Sequence, residues 1–287
     1  MPDTLRYIGS LEPAIAVAMT YLTTSPYVAA YTWTSASGFG SKYSNPGTAP
    51  TGNGYGIAFS PAGNAVAVAH TNSPRITAWP WNPTTGFGTK YTNPSALPDS
   101  NAFGVAFSPA GNAIAVAHGT ASAQTVTAYP WDSTTGFGTK YSNPSTTPAA
   151  NGRSVAFSPA GNAIAIAAEN TPYVFAYQWT YASGFGTKYN DPGTLPTGIG
   201  YSVAFSPAGN AIAVAHATTP YVSAYPWTYA SGFGSKYTNP GTLPAGTGNA
   251  VAFSPAGDAI VVTNGGSPYV AAYRSEEHTS ELQSRET

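Results

Sequence analysis

Apolar and polar positions alternate along most of this chain in short runs that never reach helical spacing. In the stretch from 202 to 248, Ser202-Val-Ala-Phe-Ser206 is a β-branched and aromatic run that stops at Pro207. Pro207-Ala-Gly-Asn210 is turn chemistry, because proline presets φ while glycine and asparagine tolerate positive φ. In Ala211-Ile-Ala-Val-Ala-His216, Ile212 and Val214 fall on one side and the alanines on the other. Positions two apart share a face only on a strand. Tyr221-Val-Ser-Ala-Tyr225 alternates again and closes at Pro226-Trp227. Phe233-Gly-Ser-Lys-Tyr237 then predicts a fourth strand before a linker rich in Pro and Gly. No window carries an i, i+3, i+4, i+7 apolar stripe, so no helix is expected.

The same unit recurs around Phe59, Phe107, Phe157, Phe205 and Phe253, every 48 or 50 residues. Four short strands at that period predict a propeller blade. Each such sheet is apolar on both faces, alanine on one and Tyr, Ile or Val on the other, and needs a neighbour on each side. The expected fold class is therefore all-β, a β-propeller of four-stranded blades. The repeats fall near 1–55, 56–103, 104–153, 154–201, 202–249 and 250–273. Six blades are counted, the last lacking its outer strand, which fits a six-bladed ring or an open part of a seven-bladed one. In the first repeat Leu5-Arg-Tyr-Ile8 is expected as the first strand, with Gly9-Ser-Leu-Glu-Pro13 in place of the usual turn. Residues 274–287 break the pattern and resemble the translation of a sequencing adapter, so they are read as a non-native tail. The last blade is expected to present an open edge, a pairing hazard.

The recurring Phe-Ser-Pro-Ala-Gly-Asn turn, followed by Ala-Ile-Ala-Val-Ala and a third strand ending in Trp, resembles the WD40-like propeller repeats. Alanine at 62, 110, 160, 208 and 256 stands where those repeats carry Asp, and only Trp131-Asp132 keeps a Trp-Asp pair. Val262-Thr-Asn264 with Val270 resembles the Tyr-Val-Thr-Asn propeller repeat of prokaryotic surface proteins and lactonases. Both resemblances imply a propeller, of bacterial or phage type.

Composition mainly excludes. Charged residues make up 7% of the chain and the net charge is −1, which gives nucleic acid nothing to hold. With no cysteine, disulfides and thiolate chemistry are out. Ala14 to Leu22 is apolar but lacks a basic flank, so no signal peptide is expected there, and no stretch is long enough for a membrane span.

Candidate chemistry is sparse. His70, His118 and His216 recur at the end of the second strand. Blades stack about 10 Å apart, so these imidazoles cannot share one ion, and turn-capping or loop-facing histidines are expected instead. Lys42, Lys90, Lys140, Lys188 and Lys236, one per repeat, are read as edge-protecting lysines of the fourth strand. The carboxylates Asp3, Glu12, Asp99, Asp132, Glu169, Asp191 and Asp258 include none in a first strand, where propeller enzymes mount their acids. The tryptophans 33, 81, 131, 179 and 227 are expected between blades.

What changes from copy to copy is the linker residue just before the first strand: Tyr55, Phe103, Arg153, Tyr201 and Asn249. The loop between the second and third strands is expected on the same face, with Arg75, Tyr173 and Tyr221 beside the histidines. Tyr and Arg are favoured interface anchors. The expectation is a non-catalytic module binding a protein or glycan through this face, with no metal and no cofactor. The alternatives are a lactonase-like hydrolytic propeller and a structural surface-array module.

Overall fold

The computed structural model describes residues 8–11, 14–19, 25–120 and 124–274. They form six antiparallel sheets arranged as a β-propeller, five of four strands and the last of three, with no helix among the described residues. Within each sheet the strands lie in chain order. The fourth blade is representative, with strands Gly152–Phe157, Ala163–Ala168, Val174–Thr180 and Gly184–Lys188. First strands of successive blades pack against one another and form the innermost layer. The tail at 275–287 and the residues Leu5-Arg-Tyr lie outside the described residues. The first blade differs from expectation: Ile8–Leu11 pairs with Ala14–Ala18, so Gly9-Ser-Leu is strand rather than turn.

The alternation decides how blades stack. Ala14, Ala16, Ala18 and Ala30 of the first blade are buried against Val66, Val68, Trp79 and Trp81 of the second. The same alanine-on-bulky arrangement fills the four seams that follow. Trp81, Trp131, Trp179 and Trp227 are buried at these seams as expected. Each meets a Phe of its own blade and a Tyr from the blade before, edge to face, as in Trp131 with Phe137 and Tyr91 at 5.1 Å. That tyrosine also reaches across the seam. Tyr43 donates to the Pro83 carbonyl at 2.6 Å and Tyr189 to that of Tyr229 at 2.8 Å. A fully buried aromatic of this size is worth about 3–5 kcal/mol, so one Trp per seam is a large part of each interface.

The repeated serine is structural. Ser60 Oγ accepts the amide of Ala65 at 3.0 Å and donates to Asn64 Oδ1 at 2.9 Å, closing the turn in which Gly63 takes φ 68°. Three other blades repeat this, and in the sixth Asp258 takes the asparagine's place opposite Ser254. The lysines differ from expectation. Only Lys42 and Lys188 lie within a strand, because the outer strand shortens to Gly86–Phe87, Gly136–Phe137 and Gly232–Phe233 in three blades. Each ammonium instead donates to a side-chain oxygen three residues on, in its own linker: Asn45, Asn93, Asn143, Asp191 and Asn239.

Candidate functional site

The five residues that vary between repeats converge. Tyr55, Phe103, Arg153, Tyr201 and Asn249 are each the second residue of a first strand, not a linker residue before it. Since first strands line the axis, their side chains meet there around a small cavity. Gly56, Gly104, Val105, Ser154, Val155 and Ser202 complete its wall. The cavity is narrow because backbones approach closely: a β-carbon on Gly104 would stand 3.0 Å from the Ser154 Cα. Its volume of about 30 Å³ admits a water or two but not a sugar ring.

Charge enters this aromatic ring at one point. The Arg153 guanidinium pairs with the Glu169 carboxylate through Nη2 and Oε1. It also lies 4.6 Å from the centre of the Phe103 ring and 5.9 Å from that of Tyr201. Its Nε–H is buried and has no partner. The other carboxylate oxygen of Glu169 accepts from Asn151 Nδ2 at 2.9 Å, and the Glu169 amide donates to the Asn151 carbonyl at 3.0 Å. Both side chains remain about one-fifth exposed. Two hydrogen bonds leave a carboxylate with spare lone pairs, and Arg153 keeps an unused donor. A guanidinium that lines the cavity and a carboxylate with spare acceptor capacity thus sit side by side.

Glu169 is not an acid of a first strand; it stands just past the end of a second strand, Ala163–Ala168. A signal was nonetheless present. In the five later repeats the residue after the second strand is Thr71, Gly119, Glu169, Ala217 or Gly265, so among them the one acid falls in the repeat whose first strand carries the one Arg. The strands pair Gly152 with Ala168, which brings Arg153 and Glu169 together.

The remaining sequence candidates lie elsewhere. Histidines 70, 118 and 216 are fully buried, not loop-facing, so as they stand they cannot meet a ligand on that face. His70 Nδ1 is 2.7 Å from the Thr71 carbonyl, which can only accept, so the proton sits on Nδ1 and Nε2 accepts from the Thr77 hydroxyl at 2.9 Å. His118 repeats this with Gly119 and Thr127, and His216 Nε2 is 3.0 Å from Ser223 Oγ. Burial lowers the pKa of all three, to about 4 at His70 and His216. Among the described residues no three side chains of His, Asp or Glu gather as a metal site. Arg75, Tyr173 and Tyr221 occupy the loop between second and third strands with φ near 70°, a left-handed conformation uncommon outside glycine. They do not line the axial cavity. Arg75 instead donates to the Pro98 carbonyl of the next linker at 3.0 Å.

No family model and no curated protein sequence matches the chain. Solved structures do. One is a periplasmic gluconolactonase of Pseudomonas aeruginosa, at TM-score 0.72 and 16% identity, covering 91% of this chain and 78% of that one. Another is a Bacteroides uniformis protein described as a candidate 6-phosphogluconolactonase, at TM-score 0.71 and 14% identity, covering 97% of this chain and 80% of that one. At such identities the likeness establishes the propeller fold. It also corrects two expectations. The neighbours are gluconolactonase-type propellers rather than WD40 repeats. The reading as a non-catalytic binding module is overturned, since one neighbour is described as a gluconolactonase and the other as a candidate 6-phosphogluconolactonase, and the lactonase-like alternative agrees with them better.

Proposed function

We propose that the chain hydrolyses a sugar lactone at the axial mouth, with Arg153 and Glu169 as its catalytic pair. The observation that carries this reading is that the guanidinium lining an aromatic-walled axial cavity is paired with a partly exposed carboxylate. Lactone opening needs a donor for the carbonyl oxygen as it gains charge, and a base for the attacking water. The cavity is too small for the sugar ring. The ring therefore lies across the mouth, its flat face on the aromatic rims, and a water inside the cavity meets the carbonyl carbon from below.

Arg153 donates to the carbonyl oxygen while Glu169 accepts a proton from that water. Hydroxide adds to the carbonyl carbon, and the bond from that carbon to the ring oxygen breaks. The proton held by Glu169 passes to the departing ring oxygen, so the product is an open hydroxy acid and the carboxylate is regenerated. Neutral polar groups on the wall, Ser154, Ser202 and Asn249, suit the hydroxyls of a sugar.

A panel of five- and six-membered aldonolactones, phosphorylated and not, followed by acid release, tests the proposal. Turnover lost in Glu169→Gln and in Arg153→Ala supports it. Absence of turnover across the panel, or turnover indifferent to Glu169→Gln, sinks it.

A further inference from the structure

Asn151 stands immediately before the first strand of the fourth blade, and its side-chain amide has partners on two blades. Its Oδ1 accepts from the Thr120 amide at 3.1 Å, in the loop that follows the second strand of the third blade, Ala113–His118. A backbone N–H can only donate, so the orientation of the amide is fixed and Nδ2 faces the fourth blade. There it donates to Glu169 Oε2 at 2.9 Å. The backbone is held as well. The Glu169 amide donates to the Asn151 carbonyl at 3.0 Å, and the Ala150 amide to Asn170 Oδ1 at 3.1 Å.

This bond governs how the carboxylate meets Arg153. Carboxylate and guanidinium frequently close as a fork, two oxygens on two nitrogens. Here Oε1 faces Nη2, Oε2 is taken by Asn151, and Nε is buried without a partner. A buried donor left unpaired is costly, so the pair has a standing reason to close side-on, with both oxygens on Nη2 and Nε. The Phe103 ring, 4.6 Å from the guanidinium carbon, keeps the group in place beside the carboxylate. The bond from Asn151 to Oε2 opposes closure.

We infer that Asn151 is a positioning residue that keeps the Arg153–Glu169 pair from closing; its consequence for turnover rests on the lactonase reading above. Held at one oxygen by a neutral amide, the carboxylate keeps lone pairs for the proton of the attacking water. The guanidinium keeps a donor for the carbonyl oxygen. A tie between blades does not account for the amide. Asn53 and Asn101 hold the same place in the second and third blades but face Thr71 and Gly119, which carry no charge. In the fifth blade Ile199 stands there and has no polar side-chain atom, so a side-chain tie at this place is dispensable.

The Arg153 Nε–H, followed by proton–nitrogen NMR and identified by its loss in Arg153→Lys, tests the inference alongside kinetics on the aldonolactone panel. Asn151→Asp keeps the acceptor for Thr120 and the size of the side chain, but loses the donor and sets a second negative charge beside Glu169. Asn151→Ala loses both bonds. In both variants the Nε–H is expected to move downfield and to exchange with water several-fold more slowly, as it gains a carboxylate partner. The kcat should fall roughly 10- to 100-fold, with KM changed by about two-fold or less because the aromatic rims still hold the ring. Asn151→Gln, which returns an amide, should recover part of kcat and move the resonance back. A resonance unmoved in both Asn151→Asp and Asn151→Ala overturns the inference, and so does a moved resonance with kcat intact. A loss of kcat and of melting temperature in Asn151→Ala that Asn151→Asp does not share assigns the side chain to its bond with Thr120, and also overturns it. Absence of turnover in the parent sinks the lactonase reading alone, while the resonance still decides whether Asn151 holds the pair open.

Discussion

The second and fourth blades share a frame and differ where the second strand ends. In the second, His70 is fully buried and bonded to Thr77 on the third strand. The third and fifth blades repeat that pairing, His118 with Thr127 and His216 with Ser223. In the fourth blade Ala168 stands in place of histidine and Phe175 in place of the hydroxyl residue, both buried. The histidine and its hydroxyl are thus exchanged as a unit, as buried polar partners must be, because either one alone leaves an unpaired group in an apolar seam. The blade that gives up the pair is also the one that pairs Glu169 with Arg153, which lines the axial cavity. Polar side chains serve packing in three blades and face the axial mouth in one.

The largest effect expected from disturbing this contrast is on turnover. Glu169→Gln should lower lactone hydrolysis by roughly 10²- to 10⁴-fold, the usual contribution of a positioned base. Its melting temperature should stay close to that of the parent, because the residue is partly exposed. Initial rates and thermal unfolding on the same preparations check both parts.

Acid should next separate the blades. His70 and His216 stay neutral when folded, with pKa near 4 against an ordinary 6.5, because burial disfavours the charged form. The unfolded chain takes up protons that the folded one refuses. The stability present above pH 6.5 is therefore lost as pH falls from 6.5 towards 4, by an amount on the order of 2 kcal/mol per histidine. Replacing His70 with Asn, which the sixth blade carries at Asn264, should flatten the pH dependence of unfolding in that window. An unchanged profile would mean that the imidazole is not held neutral.

Moving the pair into the fourth blade sharpens the comparison further. Ala168→His alone should cost about 1–3 kcal/mol by overpacking against Phe175. Ala168→His with Phe175→Thr should recover at least half of that loss, read as a coupling energy in a double-mutant cycle by urea unfolding. The smallest effect is at a seam common to all complete blades: Tyr91→Phe removes the bond to the Ser133 carbonyl and should cost about 1 kcal/mol. The ring stays in place against Trp131, so a loss of several kcal/mol would show that the hydroxyl does more than span the seam.

Strand period, turn chemistry and the 48-residue repeat were legible in the chain because each depends on residues close in sequence. Ser60, Gly63 and Asn64 form their turn whatever lies beyond it, and Trp131 in a two-faced sheet has nowhere to go but a seam. The histidines were misplaced because burial is decided by the adjoining blade, and Thr77 stands seven residues from His70 on another strand. Glu169 was passed over for a related reason. It lies sixteen positions from Arg153, and only the antiparallel register brings them together.

The chain by itself determined that two-faced sheets must bury one another, since alanines alternating with bulky residues leave no solitary sheet a dry side. It also determined which position varies from one of the five later copies to the next. Only the tertiary arrangement decided that those positions face a common axis and that one guanidinium meets one carboxylate there. It likewise decided that Phe39 of the first blade and Val270 of the sixth are exposed. Convergence and closure depend on how sheets are set around a ring, a long-range geometry that no local run of residues encodes.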